Sequence, residues 1–262
     1  MSVVNNRLAL IREQPRLSAF YAITVAFSAL FMLLFHESYL NVVTAFLPDF
    51  VMPTHRVHGM VIGAMFISLT LAFVVQLYRP VERVGAWLVA ILIVGTITVL
   101  GLISVGTDVL GRLVPLIAGV VLVTALHPAN RNLFDHIHTR DVRLLALGVI
   151  GALTFVGIAA IELHLQFTAT DDHVEFSHYM LMAAGATIVA VSAIGAAVHE
   201  AGWRSFAWVA GFIALVPFGL GTLAFPTAEQ GSTLPTVASV AIIIWALAFV
   251  GLAEYVARQD AS

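Results

Sequence analysis

Eight long apolar stretches constrain this chain more than any other feature of its sequence. They lie at 17–36, 58–78, 84–104, 109–126, 143–164, 178–198, 205–225 and 234–256. A helix needs about 20 apolar residues to cross the hydrocarbon core of a bilayer. Charged residues make up 10% of the chain and hydrophobic residues 60%, whereas soluble domains carry about 25% charged residues. The sequence therefore predicts an all-α, polytopic membrane protein with eight transmembrane helices in contact with the lipid bilayer.

The arginines predict the orientation of these helices, because cytoplasmic loops of membrane proteins are enriched in basic residues. With the N-terminus in the cytoplasm, ten of the twelve basic residues fall inside, and only Arg56 and Arg112 fall outside. An even number of spans returns the C-terminus to the cytoplasm. The first span lacks a small-residue cleavage site, so we expect it to be retained. The pattern is that of a multi-pass protein of the plasma membrane.

An internal repeat is visible when the chain is shifted by 120 or 121 residues. His58 then falls on His178, and "RVGAW" at 83–87 falls on "RSFAW" at 204–208. Asp108 likewise falls on Glu229. We interpret the chain as two tandem four-helix units, residues 1–130 and 131–262. Because each unit has an even number of helices, the units should share one orientation and be related by an axis along the membrane normal.

Absent residue types exclude several kinds of chemistry. The chain has no cysteine, which removes disulfides, iron–sulfur clusters and thiolate ligands. All twelve basic residues are arginines, so a retinal Schiff base, which needs a lysine, is excluded. No nucleotide-binding loop or zinc-protease motif occurs, and we expect no nucleic-acid partner.

Histidines and carboxylates collect on the predicted outer side, at equivalent places in both units. In each unit one helix ends in a histidine–acid pair, "FHES" at 35–38 in the first unit and "IELH" at 161–164 in the second. The next helix begins with two polar residues three apart, His55 and His58 in the first unit and Glu175 and His178 in the second. That spacing puts both side chains on one helical face. Imidazoles on facing helices bind haem iron or metals in helical bundles, and a glutamate one turn away is a natural proton carrier or orienting group. The candidate ligands are His36, His58, His164 and His178, with Glu37 and Glu175 as the acidic partners.

A second group of candidates lies in the loops beside these helices. The run "DDHVE" at 171–175 is either a solvated loop or a site for a divalent cation, because carboxylates suit hard ions and histidine suits transition metals. The candidate metal ligands are His55, His173, Asp171 and Asp172. On the inner side, the run at 127–141 contains His127, His136 and His138, and we interpret it as a cytoplasmic loop without a cofactor.

The helix plan and the glutamate-x-x-histidine motif resemble haem A synthase, whose two four-helix units open even-numbered helices with such a motif. Glu175 and His178 match it, and His58 matches the histidine of the other unit, preceded by His55 instead of glutamate. "HGMVIGAMF" at 58–66 is similar to the second helix of haem–copper oxidase subunit I, which binds low-spin haem. The outer-end histidines of helices four and eight in haem A synthase have no counterpart here. If this chain binds haem, the axial pairs would have to be His36–His58 and His164–His178.

These patterns favour a membrane protein that binds a b-type haem, or alternatively copper or another divalent metal, near its extracytoplasmic face. Electron transfer or cofactor handling would follow, with other membrane redox subunits as partners. Arg56 is then a candidate to pair with a haem propionate. Two alternatives stay open from the sequence: a permease for a small ligand or cation, and a structural subunit of a membrane complex without any cofactor.

Overall fold

A computed structural model describes residues 14–50, 53–131, 133, 141–198 and 201–260, which form helices and no strands. The description does not include the side chains of Asp108, Val109 and Arg112. It also excludes residue 132 and residues 134–140, which contain the predicted loop histidines His136 and His138. The helices are α1 Pro15–Leu34, α2 His36–Thr44, α3 Arg56–Val74, α4 Val84–Ser104, α5 Asp108–Leu126, α6 Val142–Thr168, α7 Asp172–Glu175, α8 His178–Val198, α9 Trp203–Ile213 and α10 Thr236–Gln259. The all-α class is confirmed.

Seven helical segments of the described chain are long and apolar enough to cross a membrane. They are Pro15–Leu34, Pro53–Leu77, Pro80–Ser104, Val142–Thr168, His178–Val198, Trp203–Ala224 and Thr236–Gln259. The helix α5 contributes a shorter apolar run, Leu113–Leu126. The structure has the helix content of a multi-pass membrane protein, while the fourth predicted span, at 109–126, stays a prediction.

The helices pack as two rings that meet along a central interface. In the first ring α1 packs on α3, α3 on α4, α4 on α5, and α5 back on α1. In the second, α6 packs on α8, α8 on α9, α9 on α10, and α10 back on α6. Between the rings, α3 and α4 both contact α8 and α9. The division into units 1–130 and 131–262 stays a prediction. Such a division would produce two rings of this kind.

Glycines allow the central helices to approach closely. A Cβ on Gly185 of α8 would lie 2.6 Å from the Val61 side chain of α3. At the far end, the Gly85 amide of α4 donates a hydrogen bond of 2.8 Å to the carbonyl of Ala201, just before α9. Membrane helices associate through such small residues, because lipid gives them no hydrophobic drive to pack. The interface therefore holds the first turns of α3 and α8 side by side.

Two helices depart from regular α-geometry near this interface. The first span ends at Leu34, and α2 begins after a break at Phe35 and packs on α3. The helix α9 continues through a π-helical segment, Ala214–Gly221, into a last turn at Thr222–Ala224. Pro217 lies within that segment, and proline and π-helical turns are both common causes of irregularity in long helices.

Candidate metal centre

Four histidines from three chain segments meet at one end of the bundle. His55 and His58 occupy the turn before α3 and its first turn, His173 lies in the short helix α7, and His178 begins α8. The spacing of three places His55 and His58 on one face of their helix. The central packing of α3 against α8 then brings His178 next to both.

The four imidazole rings form a compact tetrahedral group. The ring centres of His58 lie 4.7 Å from His173 and 4.9 Å from His178. Those of His55 lie 4.8 Å from His173 and 4.6 Å from His178. The two remaining distances, His55–His58 and His173–His178, are 6.1 and 6.0 Å. One ring nitrogen from each of His55, His58 and His173 lies within 4.8 Å of the other two.

Most of the nitrogens in this group are buried without a hydrogen-bond partner among the described residues. His58 is 1% exposed and His173 is 8% exposed, and both nitrogens of each ring are unpaired. The Nδ1 atoms of His55 and His178 are unpaired as well. Native proteins pair nearly all buried polar groups, because a buried, unsatisfied group costs about 1–3 kcal/mol. A neutral imidazole has one lone-pair nitrogen and one N–H, so four such rings at one place can offer a ligand one lone pair each.

His127 shows how a buried structural histidine looks in the same protein. It is fully buried, and its Nε2 lies 3.1 Å from the side-chain oxygen of Gln76. Its Nδ1 accepts the backbone N–H of Ala129 at 3.1 Å. Burial lowers the pKa of His127 to about 4, so the ring is neutral and both nitrogens are paired. In the four-histidine group, six ring nitrogens have no such partner among the described residues.

Asp171 builds the turn that carries His173. Its side chain caps α7 by accepting the backbone N–H of His173 at 3.1 Å, as expected for an aspartate at an N-cap. The same carboxylate accepts the hydroxyl of Tyr179 at 2.8 Å, and it lies 3.5 Å from Nδ1 of His173. Burial opposes its ionisation, but the Tyr179 hydroxyl and His173 together hold the pKa of Asp171 below its usual value. A carboxylate beside one nitrogen of a histidine leaves the other nitrogen directed to a metal.

Two further contacts fix the segment between α6 and α8. The buried Gln166 donates to the carbonyl of Val174 at 3.3 Å and accepts the backbone N–H of Met180 at 3.1 Å. It thereby ties α7 and the start of α8 to the end of α6. Ser177 adopts a left-handed conformation with φ 57°, which turns the chain from α7 into α8. His173 and His178 are therefore positioned by the same short connection.

The loop before α10 closes the group from the other side. A Cβ on Gly231, where φ is 89°, would lie 2.7 Å from Nδ1 of His58. Two residues further, Thr233 donates a hydrogen bond to the buried carboxyl of Glu162 on α6. The other oxygen of Glu162 has no partner among the described residues. Only a glycine allows the backbone to pass this close to the His58 ring.

The structure separates the histidines of the sequence prediction into two sets. His58, His178, His55 and His173 come together, whereas His36 and His164 are exposed and lie outside the group. Nδ1 of His36 hydrogen-bonds the Leu33 carbonyl. The break at Phe35 and the packing of α2 on α3 carry this ring away from His58. The stacked partner of His58 is His178, which differs from the predicted pairs His36–His58 and His164–His178.

The acidic candidates also divide between neighbours of the histidines and exposed positions. Asp171 contacts His173, and Asp171 and Asp172 both lie within electrostatic range of His55. Glu175 is exposed at the end of α7, and Glu37 is exposed beside His36 at 4.0 Å. No hydrogen bond connects either glutamate with the histidine group within the described residues. Their predicted role as proton carriers stays a prediction.

Arg56 is engaged with backbone and aromatic groups. Its guanidinium donates hydrogen bonds to the carbonyls of Ala45, Leu47 (2.8 Å) and Pro48 (3.4 Å). It also lies over the rings of Phe50 and Phe225, at 5.4 and 5.1 Å. These contacts tie the segment after α2 to the start of α3. The pairing of Arg56 with a haem propionate stays a prediction.

Sequence reasoning missed Tyr179, Gln166 and Gly231 as parts of the site. Tyr179 follows His178 directly, and the centre of its ring lies 6.0 Å from that of His58 and 5.4 Å from that of His173. A polar residue one position from a candidate ligand was a usable signal for Tyr179. Gln166 and Gly231 carried none, because their importance arises only when distant segments pack.

No protein-family model, curated protein or solved structure matches the chain. The resemblance to haem A synthase therefore rests on Glu175, His178 and His58, and the histidine group itself is the basis for inferring function.

Proposed function

We propose that this is an integral membrane protein that binds one transition-metal ion through His55, His58, His173 and His178. The observation that carries the proposal is the compact group of four imidazoles with six buried, unpaired nitrogens. Imidazole is a ligand for zinc, copper, iron and nickel. The absence of cysteine from the chain excludes thiolate ligands from the site.

The ring spacing supports tetrahedral coordination. A metal with four imidazole nitrogens at about 2.0–2.1 Å has ring centres about 3.2 Å from the ion and about 5 Å from one another. The observed ring centres, 4.6 to 6.1 Å apart, surround that value. The nitrogens of His55, His58 and His173 lie within 4.8 Å of one another, so these side chains and His178 would have to turn inward to share one ion.

The packing favours a bare ion over haem. Two axial histidines must lie on opposite sides of a flat macrocycle, but His58 and His178 are stacked on each other at 4.9 Å. His55 and His173 occupy two further sides, and the Gly231 backbone lies against His58. A porphyrin would have to separate all of these groups. The alternative of copper or another divalent metal is therefore the one that we develop.

The surroundings suit a divalent cation. Four neutral imidazoles would leave the charge of the ion uncompensated, and Asp171 and Asp172 lie within electrostatic range of His55. Copper and iron are imidazole-binding metals that would give the site a redox role. The proposed function is then electron transfer or metal handling with partner membrane subunits, while a zinc-loaded protein would point to metal handling alone.

The proposal includes a topology with eight transmembrane helices, in which α5 is the fourth. Both termini then face the cytoplasm of a plasma-membrane protein. The histidine group then lies near the extracytoplasmic face. Because the chain has no cysteine, single-cysteine variants test this directly. Glu37→Cys should react with an impermeant maleimide in intact cells, and Arg258→Cys should react only after permeabilisation. Equal reactivity of both variants in intact cells would overturn the topology.

Metal titration of the purified protein tests the function. The native protein should bind one Cu²⁺, Co²⁺ or Zn²⁺ per chain by calorimetry and elemental analysis, and His58→Asn with His173→Asn should abolish that binding. The matched control is His36→Asn with His164→Asn, which removes two exposed histidines and should leave binding unchanged. If the native protein shows a Soret band and the control variant does not, the result would instead support the predicted haem pairs His36–His58 and His164–His178. A metal-free, colourless native protein of correct fold would refute the proposal and favour the permease or structural alternatives.

A further inference from the structure

A second site lies at the opposite end of the bundle, where the two rings meet. A groove with a volume of about 720 Å³ runs between α3, α4 and α9. Its walls are mostly apolar, with Leu71, Val75, Val89 and Phe212 among the lining residues. Leu71 is 55% exposed and Trp208 at its edge is 53% exposed, so the groove is open to the surroundings of the protein.

The length of the groove matches one leaflet of a bilayer. Its lining runs from Ile67 to Val75 on α3 and from Gly202 to Phe212 along α9. At 1.5 Å per residue these segments are about 12 and 15 Å long. The hydrocarbon core of a bilayer is about 30 Å thick, so half of it is about 15 Å. An acyl chain that enters at the helix ends would follow the groove into the hydrocarbon of one leaflet.

Among the described residues, the charge at the mouth of the groove is unbalanced toward positive. Arg204 is neutralised by Glu254, with Nη2 and Oε2 2.6 Å apart, and Glu82 is held by Arg79 at 3.1 Å. Arg83, also at the mouth, has no side-chain partner within the described part of the chain. One arginine is thus available for an anion beside an apolar wall.

Trp208, on the lining of the groove, has the surroundings of a tryptophan at a membrane interface. Its indole N–H donates to Glu254 at 2.8 Å while half of the side chain is exposed. Tryptophan is enriched where the bilayer meets water, because its ring is apolar and its N–H is polar. Gly202 lies six residues nearer the end of the helix than Trp208, about 9 Å away, so the mouth with Arg83 would lie at the depth of lipid headgroups.

We propose that this groove binds an anionic phospholipid, with its phosphate at Arg83 and one acyl chain along the wall formed by α3 and α9. Basic pockets between helices on the cytoplasmic side bind anionic headgroups, and the arginine pattern predicts that this end of the bundle is cytoplasmic. The lipid would fill the junction of the two rings on the side away from the histidines. This inference does not depend on metal binding.

Native mass spectrometry of the full chain with added phosphatidylglycerol or phosphatidylcholine tests the proposal. The native protein should prefer phosphatidylglycerol, and Arg83→Gln should weaken its binding about fivefold, the effect of one arginine near a headgroup. Leu71→Trp fills the groove without altering charge, and it should weaken the binding of both lipids. The matched control Arg258→Gln removes an exposed arginine outside the groove and should change neither.

Equal binding of the two lipids by the native protein would overturn the proposal. So would an equal loss in Arg83→Gln and Arg258→Gln, because general surface charge would then explain the preference. Undiminished binding to Leu71→Trp would place the acyl chain elsewhere and overturn it as well.

Discussion

Replacing Gly231 by alanine tests whether the backbone of the loop before α10 shapes the metal site. Gly231 has φ 89°, in the left-handed region, where a side chain costs about 1–2 kcal/mol. A Cβ there would also lie 2.7 Å from Nδ1 of His58, so that the ring must retreat by about 0.7 Å to reach the 3.4 Å of an ordinary contact. The ring has little room to do so, because His173 and His178 lie at 4.7 and 4.9 Å.

The chain provides a close control for this substitution. Gly106 has φ 86°, but its Cβ would meet nothing within 4 Å. Gly106→Ala should therefore lose only the cost of the left-handed conformation, about 1–2 kcal/mol, without the clash of Gly231→Ala and without moving a histidine. Only Gly231→Ala should lower metal affinity, about 10- to 100-fold, the range for changes to groups that orient metal ligands.

Competition calorimetry with Co²⁺ or Zn²⁺ and thermal unfolding in detergent measure the two effects separately. If Gly231→Ala binds metal as tightly as the native protein, the position of the His58 ring does not control the site. If Gly106→Ala loses affinity equally, the effect is one of general destabilisation. Either result would refute the reasoning from the Gly231–His58 contact.

Three other substitutions and conditions have defined outcomes. Tyr179→Phe removes the hydroxyl that holds Asp171 and should weaken metal binding about tenfold; unchanged affinity in calorimetry would remove this hydroxyl from the support of the site. Burial holds the pKa of His127 at about 4, below about 6.5 in the unfolded chain, so the unfolded state binds more protons between these values. The contribution of His127 to stability is retained above pH 6.5 and is lost as the pH falls toward 4; thermal unfolding of His127→Asn should depend less on pH in that window, and an identical dependence would contradict this. Arg56→Gln deprives the Leu47 carbonyl and its neighbours of their donor and should cost about 1–3 kcal/mol of stability with little change in metal affinity; a melting temperature equal to that of the native protein would show that water replaces the guanidinium.

The sequence was sufficient to predict the all-α class and to select His58 and His178 as candidate ligands. Apolar length determines which segments are helical in a membrane, and the repeat placed two histidines at equivalent helix starts. His55 and His173 were predicted as metal ligands, but they were assigned to a set separate from His58 and His178. Placing all four histidines in one group requires knowing that α3 packs on α8, and no local sequence pattern predicts that packing.

The predicted partners of His58 and His178 differ from those in the structure for a related reason. Pairing His36 with His58 assumed that the first span continues through residue 36 as a straight helix. The break at Phe35 and the helix α2 depend on packing against α3, where a Cβ on Gly63 would lie 2.2 Å from the Ser38 carbonyl. Such close contacts between backbones cannot be deduced from periodicity.

X-ray absorption at the metal edge of the copper- or zinc-loaded protein tests the central claim most directly. The account predicts a first shell of imidazole nitrogens at about 2.0 Å, with outer-shell scattering from histidine rings, and loss of that signal in His58→Asn with His173→Asn. The His36→Asn and His164→Asn control should keep the native spectrum. A first shell without imidazole scattering, or a spectrum that survives the loss of His58 and His173, would contradict the account.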